Sequence, residues 1–155
     1  MEEKLVNLLL EKFPFLAGRV RVQRTRRIFL RVDAERFEEI FVYALHSLQF
    51  TILCTITGLD NGGSFGFIYH MAREDGIMLN IETEAPKTAA VIKTVTHYFP
   101  CAEIYEREIA DLFGVTIEGL LEGTRYPLPD NWPKDEYPLR KDWKAANKKS
   151  ENNDA

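Results

Sequence analysis

The sequence predicts an α+β fold, an antiparallel or mixed β-sheet with packed helices and an extended C-terminal arm rich in proline and aromatic residues. Three observations carry that expectation. Apolar stripes of helical period recur at Leu5-Leu8-Leu9, at Phe37-Ile40-Phe41-Ala44-Leu45-Leu48 and at Ala102-Tyr105-Ile109-Leu112-Phe113. Between the second and third stripes, strand-like runs are separated by Asp60-Asn61-Gly62-Gly63 and Arg73-Glu74-Asp75-Gly76, whose residues tolerate positive φ. Four prolines and four large aromatics crowd the stretch from Arg125 to Trp143, which excludes helix and central strand.

Taken in order, residues 2–12 form a short amphipathic helix that Pro14 closes. Gly18 opens an arginine-rich segment in which Val20 and Val22 alternate with Arg19 and Arg21, as on an edge-like extended stretch. Arg26 to Val32 reads as a strand with Ile28 and Leu30 on one side. Asp33 is a good N-cap for a helix from Ala34 to about Leu48. A three-stranded meander follows over Phe50–Thr57, Phe65–Met71 and Gly76–Glu82. Pro86 precedes a further helix, Thr88–Tyr98, and Pro100 separates it from the third stripe. Residues 1–124 thus form the folded domain, 125–143 an extended docking arm, and 144–155 a polar tail expected to fray.

One compact domain with a real core suits 155 residues of 45 % apolar content. A net charge of −4 gives no general reason to bind nucleic acid or an anionic membrane. Cys54 and Cys101 have no ligand spacing, so reduced thiols are expected. No apolar run approaches the roughly 20 residues that cross a bilayer, and the acidic start is no signal peptide. Any work at a membrane is then through other chains.

The third stripe holds the most informative residues. Read as a helix, Tyr105 to Val115 buries the apolar face named above and turns Glu103, Glu106, Arg107 and Ala110 away from it. Arg107 stands four residues from both Glu103 and Asp111, within reach of either carboxylate, and Gly114 supplies the left-handed residue that ends the helix. By default such a helix is a solvated surface element. The order Glu106-Arg107-Glu108, Asp111, two large apolar residues and Gly114 instead resembles the signature of the thirty-kilodalton-type subunit of respiratory complex I. That family includes the matching subunit of energy-converting membrane-bound NiFe hydrogenases. Pro129-Asp130-Asn131-Trp132 and Pro138-Leu139-Arg140-Lys141-Asp142-Trp143 are similar to its second block. Two departures stand out: Leu120 where the family typically has His, and Lys134-Asp135-Glu136-Tyr137 where it has Gly-His. They tilt the resemblance towards hydrogenase-like or related archaeal members.

The resemblance implies a cofactor-free accessory subunit on the cytoplasmic side of the cell membrane. It would pack on the large catalytic subunit and beside iron–sulfur subunits, which carry the clusters and, in hydrogenases, the NiFe centre. Glu106, Arg107, Glu108, Asp111 and Gly114, with Trp132, Pro138, Leu139, Arg140, Lys141 and Asp142 in the arm, are the implied interface and signature residues. No catalytic, cofactor or metal residue is expected in this chain. His46, His70 and His97 share no ligand spacing, and the glycines at 58, 62, 63 and 66 precede no Gly-Lys-Ser/Thr. Arg107 beside Glu106, Glu108 and Asp111 favours fixed ion pairs over acid–base work. The competing reading is a small nucleic-acid-binding domain using Arg19, Arg21, Arg24, Arg26, Arg27 and Arg31. Against it, the exposed-aromatic motif of sheet-surface RNA binders is missing, and docking on partner carboxylates explains the arginines equally well.

Overall fold

The computed structural model describes residues 1–145, so most of the predicted tail lies outside the described residues. The chain runs α1 (Glu2–Lys12), β1 (Val20–Arg24), β2 (Arg27–Arg31), α2 (Ala34–His46), β3 (Ile52–Asp60), β4 (Ser64–Ala72), β5 (Met78–Pro86), β6 (Val91–Lys93), α3 (Ala102–Phe113) and β7 (Thr116–Glu118). Single 3-10 turns occupy Pro14–Leu16 and Lys87–Ala89. The main sheet has the order β1-β2-β5-β4-β3. It is mixed, as expected: the meander β3-β4-β5 is antiparallel, while β2 joins β5 in parallel, Arg27 opposite Met78 and Arg31 opposite Glu82.

Strand alternation divides the sheet into two faces. Ile28 and Leu30, Leu79 and Ile81, Tyr69 and Met71 share one face with Phe65 and Phe67, all essentially fully buried. Helices cover this side. Phe37 and Phe41 of α2 pack on Tyr69 with ring centroids 4.4 and 5.8 Å away, and Phe13 after α1 meets Tyr43 edge-on at 5.3 Å. Phe113, at the end of α3, packs on Phe65 at 5.6 Å and against Gly58 of β3, where a Cβ would lie 2.7 Å from its ring. The other face carries Arg21, Phe29, Arg31, His70 and Glu82, an alternation typical of an antiparallel sheet wet on one side.

Several local expectations change. Asp33 does stand at the N-cap of α2, yet its carboxylate makes no capping bond; it takes Arg19 Nη1 at 2.8 Å. The predicted helix over Thr88–Tyr98 is absent. Five of the six residues from Val91 to Thr96 are β-branched, which penalises helix through restricted χ1 and favours extended chain. This segment forms β6 instead, paired in parallel with β7, Val91 opposite Thr116 and Lys93 opposite Glu118.

The arginine run is not a free basic stripe either. Arg19 pairs with Asp33, Arg31 with Glu84 at 2.7 Å and Arg21 with Glu82 at 3.9 Å, while Arg27 donates to the Arg26 carbonyl. Carboxylates of this domain thus pair with three of the six arginines, Arg19, Arg21 and Arg31, that made nucleic acid a competing reading.

Candidate functional site

α3 sits against β3, anchored by Tyr105, whose hydroxyl donates to the Cys54 carbonyl at 2.9 Å. Gly114 ends it in the left-handed conformation at φ +67°, as expected. The first correction on this helix concerns Glu106. Rather than lying on a charged outer side, it is wholly buried. One carboxylate oxygen accepts from Thr94 Oγ1 at 2.6 Å and the other from the Val95 N–H at 2.7 Å. Burial raises its pKa, and those two hydrogen bonds oppose the rise. Glu106 is therefore a structural clamp, holding the strand-like segment after β6 onto α3.

Arg107 bridges differently from the spacing argument. Its Nε and Nη2 donate to Glu103 Oε1 at 3.0 and 2.9 Å, and Nη2 also reaches the Leu121 carbonyl at 2.8 Å. The guanidinium lies against Gly123, where any Cβ would collide with it. Asp111 does not receive Arg107. Its Oδ1 accepts from Arg125 Nε at 2.5 Å and its Oδ2 from the Leu128 N–H at 2.8 Å. Arg107 serves only one direction along the helix, and the returning chain supplies a second arginine for the other. Glu108 makes no hydrogen bond or ion pair through its side chain among the described residues.

The arm then completes the helix end. The last carbonyls of an α-helix have no partner within the helix. Here the Leu139 N–H donates to the Leu112 carbonyl at 3.2 Å, and Arg140 Nε donates to the Phe113 carbonyl at 2.6 Å. Arg140 thus places a cation at the negative end of the helix dipole, its guanidinium 4.3 Å from the Tyr137 ring and 5.3 Å from that of Phe65. Nη2 of the same guanidinium reaches the Gly114 carbonyl at 3.4 Å, so two of its donors are turned to its own helix end, while Lys141 stays exposed.

Trp132 and Trp143 stack at 6.0 Å and both donate to Glu136, Trp132 to the carbonyl and Trp143 to the carboxylate. Arg125 Nη1 reaches the Trp132 carbonyl at 3.0 Å, which ties this pair back to Asp111. Pro138, like both tryptophans, is half-buried. Gly114→Ala is expected to loosen this arrangement. A Cβ there would lie 2.5 Å from both Tyr137 and Arg140, on a φ that side chains avoid. The combined cost should be about 2 kcal/mol or more. Limited trypsin digestion should then cleave within the arm several times faster while the core stays resistant.

Sequence reasoning missed the anchors that receive the arm. Asp60, at the end of β3, is buried and accepts from the Gly62 N–H at 2.7 Å, Lys87 Nζ at 2.8 Å and the Lys141 N–H at 2.8 Å. Lys87 also donates to Asp142 Oδ1 at 2.9 Å. The Lys87 hydrogen bond is the largest cause that lowers the Asp60 pKa to about 2. A carboxylate with a depressed folded pKa contributes stability above its unfolded value, near 3.8, and loses it as pH falls towards the folded one. The clasp should therefore persist at pH 5 and open only between about pH 4 and 2. Both tryptophans lie in the arm, so their fluorescence reports its release directly. Asp60→Asn, which cannot ionise, should show the loosened arm's emission already at pH 5 and lose the step between about pH 4 and 2.

Among the described residues no group of three His, Cys, Asp or Glu could hold a metal ion, and no helix is long and apolar enough to cross a membrane. Glu106 and Asp111 are both engaged in holding chain to chain, which leaves Glu108 as the free carboxylate of the signature. Four of the exposed large apolar residues lie on α3 and the chain that follows it: Ile104 at 45 % exposure, Leu121 at 80 %, Tyr126 at 41 % and Leu139 at 51 %.

The result is an α+β domain in which Glu106, Asp111 and Arg140 fasten neighbouring segments to one another around α3. The chain belongs to the family of the respiratory-chain NADH dehydrogenase 30 Kd subunit, whose model matches residues 30–149. It is 30 % identical over 144 residues to a subunit of the F(420)H(2) dehydrogenase of Methanosarcina mazei, covering 91 % of this chain and 90 % of that one. The beta subunit of the membrane-bound hydrogenase of Pyrococcus furiosus is 27 % identical, with 93 % and 87 % covered. Among solved structures, a chain of the membrane-bound sulfane sulfur reductase, an archaeal respiratory membrane complex, superposes with a TM-score of 0.83 at 31 % identity, over 93 % of this chain and 86 % of that one.

Proposed function

We propose that this protein is a cofactor-free accessory subunit of a membrane-associated oxidoreductase complex, docked on the catalytic large subunit and adjoining the iron–sulfur subunits on the cytoplasmic side. The observation that carries the reading is the use of the signature residues. Glu106, Asp111 and Arg140 bind the chain to itself, and the helix and following chain that they fasten carry the exposed side chains of Ile104, Leu121, Tyr126 and Leu139 and Glu108, unpaired among the described residues. Large apolar residues presented on a rigid support suit the centre of a protein interface. Similarity over nearly the whole chain to subunits of a membrane-bound hydrogenase and an F(420)H(2) dehydrogenase supports the same reading. Electrons and ions would then pass through neighbouring subunits, with this chain fixing their geometry.

The test is to recover an affinity-tagged chain from detergent-solubilised native membranes, then identify the co-eluting chains and assay them for iron and nickel. A stoichiometric large subunit with iron–sulfur partners is the expected result. Recovery of the chain alone, or with bound nucleic acid, would contradict it. Nickel in the eluate would mark a hydrogenase-type assembly, and iron without nickel a quinone- or sulfur-reducing one.

A further inference from the structure

A cavity of about 470 Å³ opens between α2 and the β6–β7 pair, away from the arm. Phe37, Tyr98 and Val91 present its apolar wall, while the buried Phe41, Tyr69 and Val95 back it. Glu35, Glu38 and Glu118 also line the cavity, with Lys93 their only cation. Lys93 is taken by Glu38 at 3.4 Å; Glu35 and Glu118 have no ion pair among the described residues.

The wall of this pocket is held from behind. Thr94 and Val95, which form part of it, are the two residues clamped by the buried Glu106. Val91 at the same wall is 49 % exposed, an apolar platform beside the opening. The open rings of Phe37 and Tyr98 and a surplus of carboxylates suit a planar cation on an apolar stem. A guanidinium stacks on aromatic faces and offers five N–H donors in a fixed fork, enough for two carboxylates together. An ammonium is a compact, strongly hydrated charge and would gain less from such walls.

We propose that this cavity is a second docking site that receives an arginine side chain of a partner protein, a statement that rests on the subunit reading above. The probe is Nα-acetyl-arginine methylamide, titrated into the labelled full chain and followed by amide NMR, with capped norleucine and capped glutamate as controls. Saturable shifts at Thr83 and from Val91 to Val95 are expected for the arginine compound alone. They should weaken at least about tenfold in Glu35→Gln/Glu118→Gln, the effect of roughly one lost charge contact. Absence of saturable shifts, or an equal response to capped norleucine, would overturn the cavity's chemistry. In the assembled complex, Glu35→Lys/Glu118→Lys should lower recovery of partner chains at least about tenfold; undiminished recovery would overturn the partner assignment. A wild-type chain that recovers no partner removes the subunit reading and that assignment together, and the titration still decides the cavity separately.

Discussion

Glu106→Leu should lower the free energy of unfolding by about 3 kcal/mol, whereas Glu106→Gln should cost about 1 kcal/mol or less. The leucine variant keeps much of the volume but leaves the Val95 N–H unpaired against an apolar side chain, at about 1–3 kcal/mol, and takes from the Thr94 hydroxyl its buried carboxylate partner. Glutamine retains one carbonyl oxygen for Val95 and offers an amide to Thr94, which already exchanges hydrogen bonds with Thr96. Charge matters less than hydrogen bonding here because burial favours the neutral acid. The sign of the pH effect follows. The folded state holds the Glu106 proton more tightly than the unfolded chain, whose value is near 4.5. The stabilisation this group provides is thus fully present below that value and is lost as pH rises through the raised folded pKa. Wild type should therefore gain on the glutamine variant in urea melts at pH 4 and fall back at pH 8. A leucine variant as stable as wild type would show that Glu106 is no clamp.

The second large effect lies at Asp111. Asp111→Ala removes the acceptor of both Arg125 Nε and the Leu128 N–H, leaving a mostly buried guanidinium unpaired. Breaking a buried pair on one side costs about 3–5 kcal/mol, discounted here because Arg125 is about a quarter exposed. The loss should fall on the arm. Emission from Trp132 and Trp143 should shift to the red at low urea, while circular dichroism of the sheet changes only near the wild-type transition. Asp111→Asn, which keeps an oxygen for Leu128, should lie between the two. Coincident loss of both signals would mean that arm and domain unfold as one unit.

The contrast between what is legible in the sequence and what is not has a physical basis. α1, α2, α3 and the meander are readable because each is long enough for its period to repeat, and because Gly62, Gly76 and Gly114 mark turns that need positive φ. β6 and β7 are three residues each, too short for any period, although the β-branched run at Val91–Thr96 is a usable signal. At the site, the motif locates Glu106, Asp111 and Arg140 but not their partners. Asp60 is 81 residues from Lys141 and looks like an ordinary turn former before Asn-Gly-Gly, a role it also plays through Gly62. Helical spacing gives Arg107 both carboxylates because nothing local reveals that Arg125 will return to claim one of them.

The proposed docking face comprises α3 and the arm, and hydrogen–deuterium exchange on the free chain and on the chain within its native complex tests it most directly. Assembly should slow exchange around Ile104–Glu108, over Leu120–Leu128 and near Leu139, with little change on the bare sheet face around Phe29 and His70. Unchanged exchange at the helix and arm, with protection confined to that sheet face, would contradict it.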